Sequence, residues 1–502
     1  FFQAEDGIRD KLVTGVQTCL FRSFIIALRT FGLLLLAFAA TLVPPMGVSL
    51  LYGDGELGCF AAASSVGLLA GLALWLPLRK RHFVLRSRDG FLVVALVWAV
   101  MGLLGAVPFM LTLDLDFPAA FFESVAGYTT TGSTTLAGLD SLPASILFYR
   151  QQIQWLGGLG VIVLAVALLP MLGVGGMQLY NGETPGPFKD ERITPRVTRS
   201  ARSLCIVYVV LTVACAAAYW FSGMGLFDAV SHSFSTLSTG GSSTHDDNIG
   251  YFNSVAIEFV AMVFSLIGAI SFNEHFLALR SLQLERYQRD TQTRVFLVSV
   301  AVLAIVTTAV LSASGTYPTL STALRHGLFA SVAAMSTSGF TNADFAPWPL
   351  ALPPLLIFSM FVGGCAGSSA GGMKVIRYVV LFKQVGVHIH RLVHPQAIRR
   401  MKLDGQPVPD SVVEAVGGFF AVYVVVFVIF MVLAMMDGMD QVTAFGAVAT
   451  SINNAGPGLG SVAMTFSDVS PQGKIMFSIA MLVGRLEIFT FLVLLTPAFW
   501  KR

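Results

Sequence analysis

Ten stretches of this chain are apolar for long enough to cross the roughly 30 Å hydrocarbon core of a bilayer. They lie near residues 24–43, 57–78, 90–112, 146–172, 203–222, 254–278, 295–313, 352–382, 412–436 and 475–499. The runs lack the period-two alternation of a barrel strand, so helices are the form that satisfies their backbone in lipid. Charge agrees with this. Only 12% of the 502 residues are charged, against roughly 25% in a soluble domain, too few to cover a soluble fold of this length. The expected fold class is an all-α polytopic membrane protein.

Between some of these spans lie shorter apolar segments, near 118–130, 227–238, 320–336 and 440–452. Each is too short to cross, and each ends in Ser, Thr, Asn and Gly instead of a charged loop. Non-helical backbone at membrane depth is tolerated only where it is buried in protein or lines a water-filled path, so each segment reads as a re-entrant half-helix followed by a loop. With Gly132, Gly240, Gly339 and Gly456 as reference points, the loops are 108, 99 and 117 residues apart. A period near one hundred residues, with span, half-helix, loop and span each time, implies four copies of one unit. Four units around one axis leave a central path where the loops meet.

The loop chemistry favours a dehydrated cation. Backbone carbonyls can replace its water from every side without introducing a full charge. Glycine lets the backbone turn its carbonyls inward and keeps the axis open. The half-helices aim their partially negative C-terminal ends at the same place. The candidate ligand-bearing residues are Thr130, Thr131 and Gly132; Ser238, Thr239 and Gly240; Thr337, Ser338 and Gly339; and Asn454, Ala455 and Gly456. One such loop would be an ordinary turn; four in matched positions are a pattern.

Of the 31 Lys and Arg residues, 23 fall in the segments 79–88, 189–202, 280–294, 374–402 and the last two positions. These alternate with loops almost free of basic residues, which puts the basic set and both termini in the cytoplasm. Opposite loops carry Asp114, Asp116, Asp140, Asp246, Asp247, Asp344, Asp437, Asp440 and Asp468, which either raise the local cation concentration or are ordinary solvated charge. The net charge of +3 gives no reason to expect nucleic acid. Cys19, Cys59, Cys205, Cys215 and Cys365 are scattered without metal or disulfide spacing and read as small hydrophobes. Residues 1–23 are polar, mixed in charge and lack a signal-peptide pattern. They read as non-native sequence or as a short cytoplasmic amphipathic arm.

The strings TTTGST (129–134), LSTGGSS (237–243), MSTSGFT (335–341) and INNAGPG (452–458) resemble the selectivity loops of the TrkH/KtrB/HKT superfamily of K+ transporters. So do the stretches 154–180 and 183–196 and the GRLEIFT string at 484–490. The likeness is strongest to the TrkH branch and covers nearly everything from residue 24 onward. It implies two extra helices (24–82) and four M1–P–M2 repeats, at 90–176, 201–280, 294–385 and 411–499, around one pore. It further implies K+ uptake without a cofactor, a bacterial inner membrane, a homodimer, and a cytosolic nucleotide-binding regulator of the TrkA type. In the plant branch glycine at the place of Gly132 goes with K+ and serine with Na+, so K+ is the expected ion.

Two features suggest control of flow. Gly363, Gly364, Gly367, Ser368, Ser369, Gly371 and Gly372, followed by Lys374, interrupt the 352–382 span. Each glycine in a helix costs about 1 kcal/mol relative to alanine. The cluster is either tight helix packing through small residues or an unwound loop, and the density of glycines favours the loop. By resemblance such a loop is a gate. Arg485 stands in the apolar last helix, where a charge costs at least about 2.5–3.5 kcal/mol. It either faces the pore as a cationic barrier or pairs with an acid, Glu487 or Glu258 being the candidates.

The remaining polar residues leave more open. Glu123, Asp228 and His232 sit in or near half-helices; Glu123 either adds negative potential at the filter or anchors a loop. His388, His390 and His394 have no Cys or acid beside them, so the basic stretch around them reads as a docking surface for a cytosolic partner or for anionic lipid. A transporter coupling K+ to H+ or Na+ is the alternative, with Glu258 and Glu487 as its proton-carrying candidates. An enzyme is not expected, because Ser231 and His232 have no nucleophile motif around them.

Overall fold

Three of the four half-helices have a side-chain cap at their start, and all four end in a run of small residues; this punctuation organises the fold. The computed structural model describes residues 28–79, 87–167, 195–283, 285–396 and 401–500. Segment 1–23, residues 80–86 of the basic segment 79–88, and the 168–194 stretch, which includes the start of the basic segment 189–202, fall outside the described residues.

Two helices, Leu28–Tyr52 and Leu57–Leu78, precede everything else. After them the order long outer helix, short pore helix, loop, inner helix recurs four times. The outer helices are Ser87–Leu113, Pro195–Phe221, Thr291–Ala313 and Asp410–Met436. The pore helices are Phe117–Tyr128, Leu226–Leu237, Leu320–Met335 and Gln441–Asn453, close to the short segments expected. Asp116, Thr319 and Asp440 start three of them by accepting hydrogen bonds from first-turn backbone N–H groups. The C-terminal halves of the pore helices are largely buried, and in the first every residue from Ala119 to Tyr128 is inside the protein. The outer helix Asp410–Met436, by contrast, has only 17% of its most apolar window buried. Its Val424, Val425, Val428 and Ile429 are exposed, as a lipid-facing wall requires.

Six described helices are long and apolar enough to cross a membrane, or eight if two bent pairs count as one span each. Ten were expected. The inner helix Ala144–Ala167 carries Arg150, Gln151, Gln152 and Gln154, all buried, so its environment is protein and not lipid. The inner helix of the third unit stops after eleven residues, Leu352–Val362, and resumes as Val375–Val393. The second inner helix (Val255–Ala269, Phe272–Ser281) bends by 97° and the fourth (Pro471–Arg485, Phe489–Leu495) by 109°. Neither bend carries a Pro or Gly at the break.

The two leading helices dock on the first unit through polar contacts at their connecting turn. Asp54 accepts hydrogen bonds from Ser49 Oγ, from Glu56 N at 3.2 Å and from Ser145 N at 2.9 Å, near the start of the first inner helix. Gln152 Nε2 donates to Thr41 O at 2.8 Å. Burial raises the pKa of Asp54, but the hydrogen bonds from Ser49, Ser145 and Glu56 outweigh it and hold the carboxyl below the usual aspartate value. A depressed folded pKa stabilises above the unfolded value and is lost as pH falls through the folded one. Asp54→Asn is therefore expected to lower the melting temperature of the purified protein at pH 7. That difference should begin to shrink below about pH 4, where the unfolded chain's aspartate protonates, and disappear once the pH falls through the lower folded value. An equal difference at both pH values would contradict the assignment.

Candidate functional site

The four loops after the pore helices share one backbone course. The residue after each helix turn enters the left-handed region: Thr130 (φ 55°), Thr239 (53°), Thr337 (53°) and Asn454 (52°). This region is uncommon for any residue but glycine and an outlier for a β-branched one. The next N–H bonds back to the carbonyl five residues earlier, at Thr131, Gly240, Ser338 and Ala455. The residue after that is a glycine with positive φ: Gly132 (79°), Gly241 (71°), Gly339 (69°) and Gly456 (91°).

This register corrects the sequence alignment at one loop. The counterpart of Gly132 is Gly241, not Gly240. Gly240 matches Thr131, and Ser238 is the C-cap that matches Thr129. The string STGG contains two glycines, and only backbone conformation tells which one takes the left-handed position.

The loops also close on one another. A Cβ at Gly132 would overlap the Gly240 carbonyl, one at Gly241 the Ser338 carbonyl, and one at Gly339 would lie 2.6 Å from the Ala455 carbonyl. At Gly456 it would lie 3.1 Å from the Thr131 carbonyl, which returns to the first loop. Each glycine thus abuts the same carbonyl position of the next loop, in a cycle of four. Any side chain there would meet both an unfavourable φ and a neighbour's backbone.

The seams of this ring are joined differently. Between loops four and one, Ser133 Oγ donates to Gly456 O at 2.8 Å and Asn454 Nδ2 to Thr131 Oγ1 at 2.9 Å. Between loops two and three, Asn248 Oδ1 accepts from Thr341 N at 3.4 Å and Gly250 N donates to Thr341 O at 3.3 Å. Between three and four, Pro457 Cδ packs beside Gly339. Glu123 proves to be a loop anchor. Its carboxylate accepts from Thr134 Oγ1 at 2.7 Å and from the Thr135 backbone N–H, and it faces Arg150 at 3.5 Å. His232 occupies the same helix position in the second unit and bonds Ser243 Oγ at 2.9 Å. Asp228 accepts from Thr244 Oγ1 at 2.7 Å.

Behind the ring, inner-helix glycines let helices approach the last carbonyls of the pore helices. A Cβ at Gly157 would overlap Tyr128 O, one at Gly268 would press on Leu237 O, and one at Gly484 would overlap Ile452 O. The third unit has no such helix contact, because its inner helix is broken there. Residues Gly363–Lys374 form an irregular segment instead, entered at Gly363 with φ 67° and left at Lys374 with φ 74°. Ser369 Oγ donates within 2.9 Å of both Leu237 O and Gly268 O. Gly371 N donates to Thr337 Oγ1 at 2.6 Å and Gly372 N to Asn453 O at 2.9 Å. The segment is therefore stitched to the ends of the second, third and fourth loops. Gly364 and Gly367 belong to it as well; Gly367 O accepts from Phe272 N at 3.1 Å, at the bend of the second inner helix. Ser368 Oγ closes back on Cys365 O at 2.6 Å.

Arg485 reaches this segment from the fourth inner helix. Its Nη1 donates to Ser369 O at 3.0 Å, and its Nε and Nη2 are buried with no hydrogen-bond partner. The two acids proposed as partners are engaged elsewhere. Glu487 pairs with Arg377, and Glu258 forms a two-point pair with Arg325 at 2.8 and 2.9 Å. Among the described residues no ion pair includes Arg485. Lys374 Nζ donates to Ala370 O in the same segment. His390 and His394 lie edge to face at 5.1 Å and His388 bonds Gln384. No described group of three His, Cys, Asp or Glu residues is arranged to hold a metal.

Comparison with known proteins gives this arrangement its context. The family model described as TrkH, cation transport protein, matches residues 59–502. The chain is 49% identical to the Trk system potassium uptake protein TrkH of Halomonas elongata, over 95% of this chain and 99% of that one. It is 48% identical to the protein of the same name from Escherichia coli, over 94% and 98%. The crystal structure of the potassium transporter TrkH from Vibrio parahaemolyticus superposes with a TM-score of 0.89 at 46% identity, over 95% of this chain and all of that one. With the fold, the length and the sequence all matched, this chain belongs to the TrkH family of cation transport proteins and is a transport protein, not an enzyme.

Proposed function

We propose that the chain takes up K+ across the bacterial inner membrane through one gated pore. The four loops form its selectivity filter, and residues Gly363–Lys374 with Arg485 form its gate. The observation that carries this reading is the closed cycle of glycine-to-carbonyl contacts among four loops of identical course. A ring of backbone carbonyls, at the negative ends of four buried helices, suits a cation that has shed its water. In this reading the ring ligands come from residues 130–132, 239–241, 337–339 and 454–456, and the two extra helices at 24–82 brace the first of four repeats. Relatives named as potassium uptake proteins support K+ as the substrate, and their Trk-system name supports assembly with a cytosolic regulator. The TrkA-type regulator and the homodimer are expectations of the family resemblance, and cytoplasmic termini and contact of the basic face with a cytosolic partner or with anionic lipid are expectations of the Lys and Arg distribution.

Coupling to H+ or Na+ finds less support. The two carboxylates offered as proton carriers, Glu258 and Glu487, are each committed to an ion pair with an arginine, Arg325 and Arg377. Purified protein in liposomes is expected to carry K+ down its own gradient with no proton gradient imposed. K+ flux that requires a proton or sodium gradient would favour the coupled mechanism.

A further inference from the structure

At the level of the ring glycines the seam between the first and second loops is bridged by Gln154 of the first inner helix; Arg150 of the same helix spans it farther along the loops, donating to Thr134 Oγ1 at 3.1 Å and to Ser243 O at 3.3 Å. Gln154 is fully buried. Its Nε2 donates to Gly240 O at 2.9 Å and to Ser242 Oγ at 2.7 Å, while its Oε1 accepts from Ser242 N at 3.3 Å. One amide thus brackets Gly241, the left-handed glycine of the second loop, from both sides. It also borders the first loop, since a Cβ at Gly132 would come within 3.6 Å of Gln154 Nε2. The contact crosses from one unit to the next.

The other inner helices offer nothing equivalent. Counting back three residues from the glycine that meets the pore helix gives Gln154 before Gly157, Ser265 before Gly268 and Met481 before Gly484. A serine is too short to span two backbone positions, and Met481 takes part only through its carbonyl, which accepts from Asn454 Nδ2 at 3.1 Å. A buried amide with both polar ends used fixes distance as well as orientation, because leaving either end unpaired costs the full desolvation of that group. The Gly240 carbonyl is at the ring position that faces Gly132, so its orientation sets part of the cage a cation would enter.

We propose that Gln154 is a specificity-determining positioning residue. It holds the second loop at a fixed distance from the first and so sets the K+ against Na+ preference of the ring. The proposal rests on the reading of the four loops as the filter. Gln154→Met keeps the length and apolar volume and removes all three hydrogen bonds. Its K+/Na+ permeability ratio in liposomes is expected to fall by about tenfold, the change corresponding to one or two hydrogen bonds of ordinary net strength. K+ flux itself should persist. Ser242→Ala removes one of the three bonds without touching the helix and should give a smaller fall in the same direction, so a failure of Gln154→Met to fold leaves the idea testable. An unchanged ratio in either folded variant would overturn it. The wild-type ratio separates the two levels: no K+ preference in the wild type refutes the filter reading, whereas a selective wild type with equally selective variants refutes only the role of Gln154.

Discussion

Gly241→Ala is expected to cost the protein its preference for K+. The residue holds φ at 71°, where an alanine carries about 1–2 kcal/mol of backbone strain. The larger effect is steric. The new methyl would overlap the Ser338 carbonyl of the next loop and come within 2.9 Å of Gly339 C. Both are backbone atoms that cannot rotate away, so the second and third loops must separate. A ring widened at one seam fits K+ less well and lets partly hydrated Na+ compete. A loss of at least about tenfold in the K+/Na+ ratio is expected, equivalent to about 1.4 kcal/mol of differential interaction. Gly438→Ala provides the control. Gly438 holds φ at 97° with nothing within 4 Å of the new methyl, so it introduces strain outside the ring and should leave the ratio unchanged. Wild-type selectivity in a folded Gly241→Ala protein would contradict the ring geometry.

Arg485→Ala is expected to raise flux. The guanidinium has a single hydrogen bond, to the Ser369 carbonyl, and no acid to neutralise it. A fixed positive charge about 5 Å from a permeating cation raises its energy by roughly 3 kcal/mol at an effective dielectric constant near 20. Removing the charge should therefore increase basal K+ flux about tenfold or more, after allowing for rearrangement. Arg485→Lys should keep most of the barrier. Deleting Gly367–Gly371 removes the segment that ties the second, third and fourth loops together beneath the ring, and should also raise basal flux. Unchanged flux in folded Arg485→Ala protein would show that the arginine is only a fastening between helices.

Much of this was legible in the sequence because a bilayer limits what a backbone can do. Apolar length marked the outer helices. Their failure to reach spanning length, together with small polar residues at their ends, marked the pore helices within a residue or two. Three things were not legible. The second loop was set one residue out of register, because Ser238-Thr239-Gly240-Gly241 offers two glycines and the left-handed turn chooses between them in three dimensions. The sharp bends after Ala269 and Arg485 follow single glycines, Gly268 and Gly484, which resemble other helical glycines of this chain that carry no bend, so tertiary packing decides where the helix turns. The partners of Glu258 and Glu487 depend on which helices meet, and Arg325 and Arg377 claimed them. Gln154 left a faint signal, as one of three glutamines that follow Arg150 in a mainly apolar helix. Which of the three reaches a loop is a matter of helix phase and neighbour, and sequence alone does not fix either.

The central claim is that four loops of one course form a single K+-selective ring. It is tested most directly by the reversal potential of purified protein in a planar bilayer or in liposomes, with K+ on one side and Na+ on the other and no pH gradient. A K+-selective ring gives a potential displaced toward the K+ equilibrium value, unaffected by a subsequent change of pH on either side. A potential near zero, or one displaced toward the Na+ equilibrium value, would contradict it.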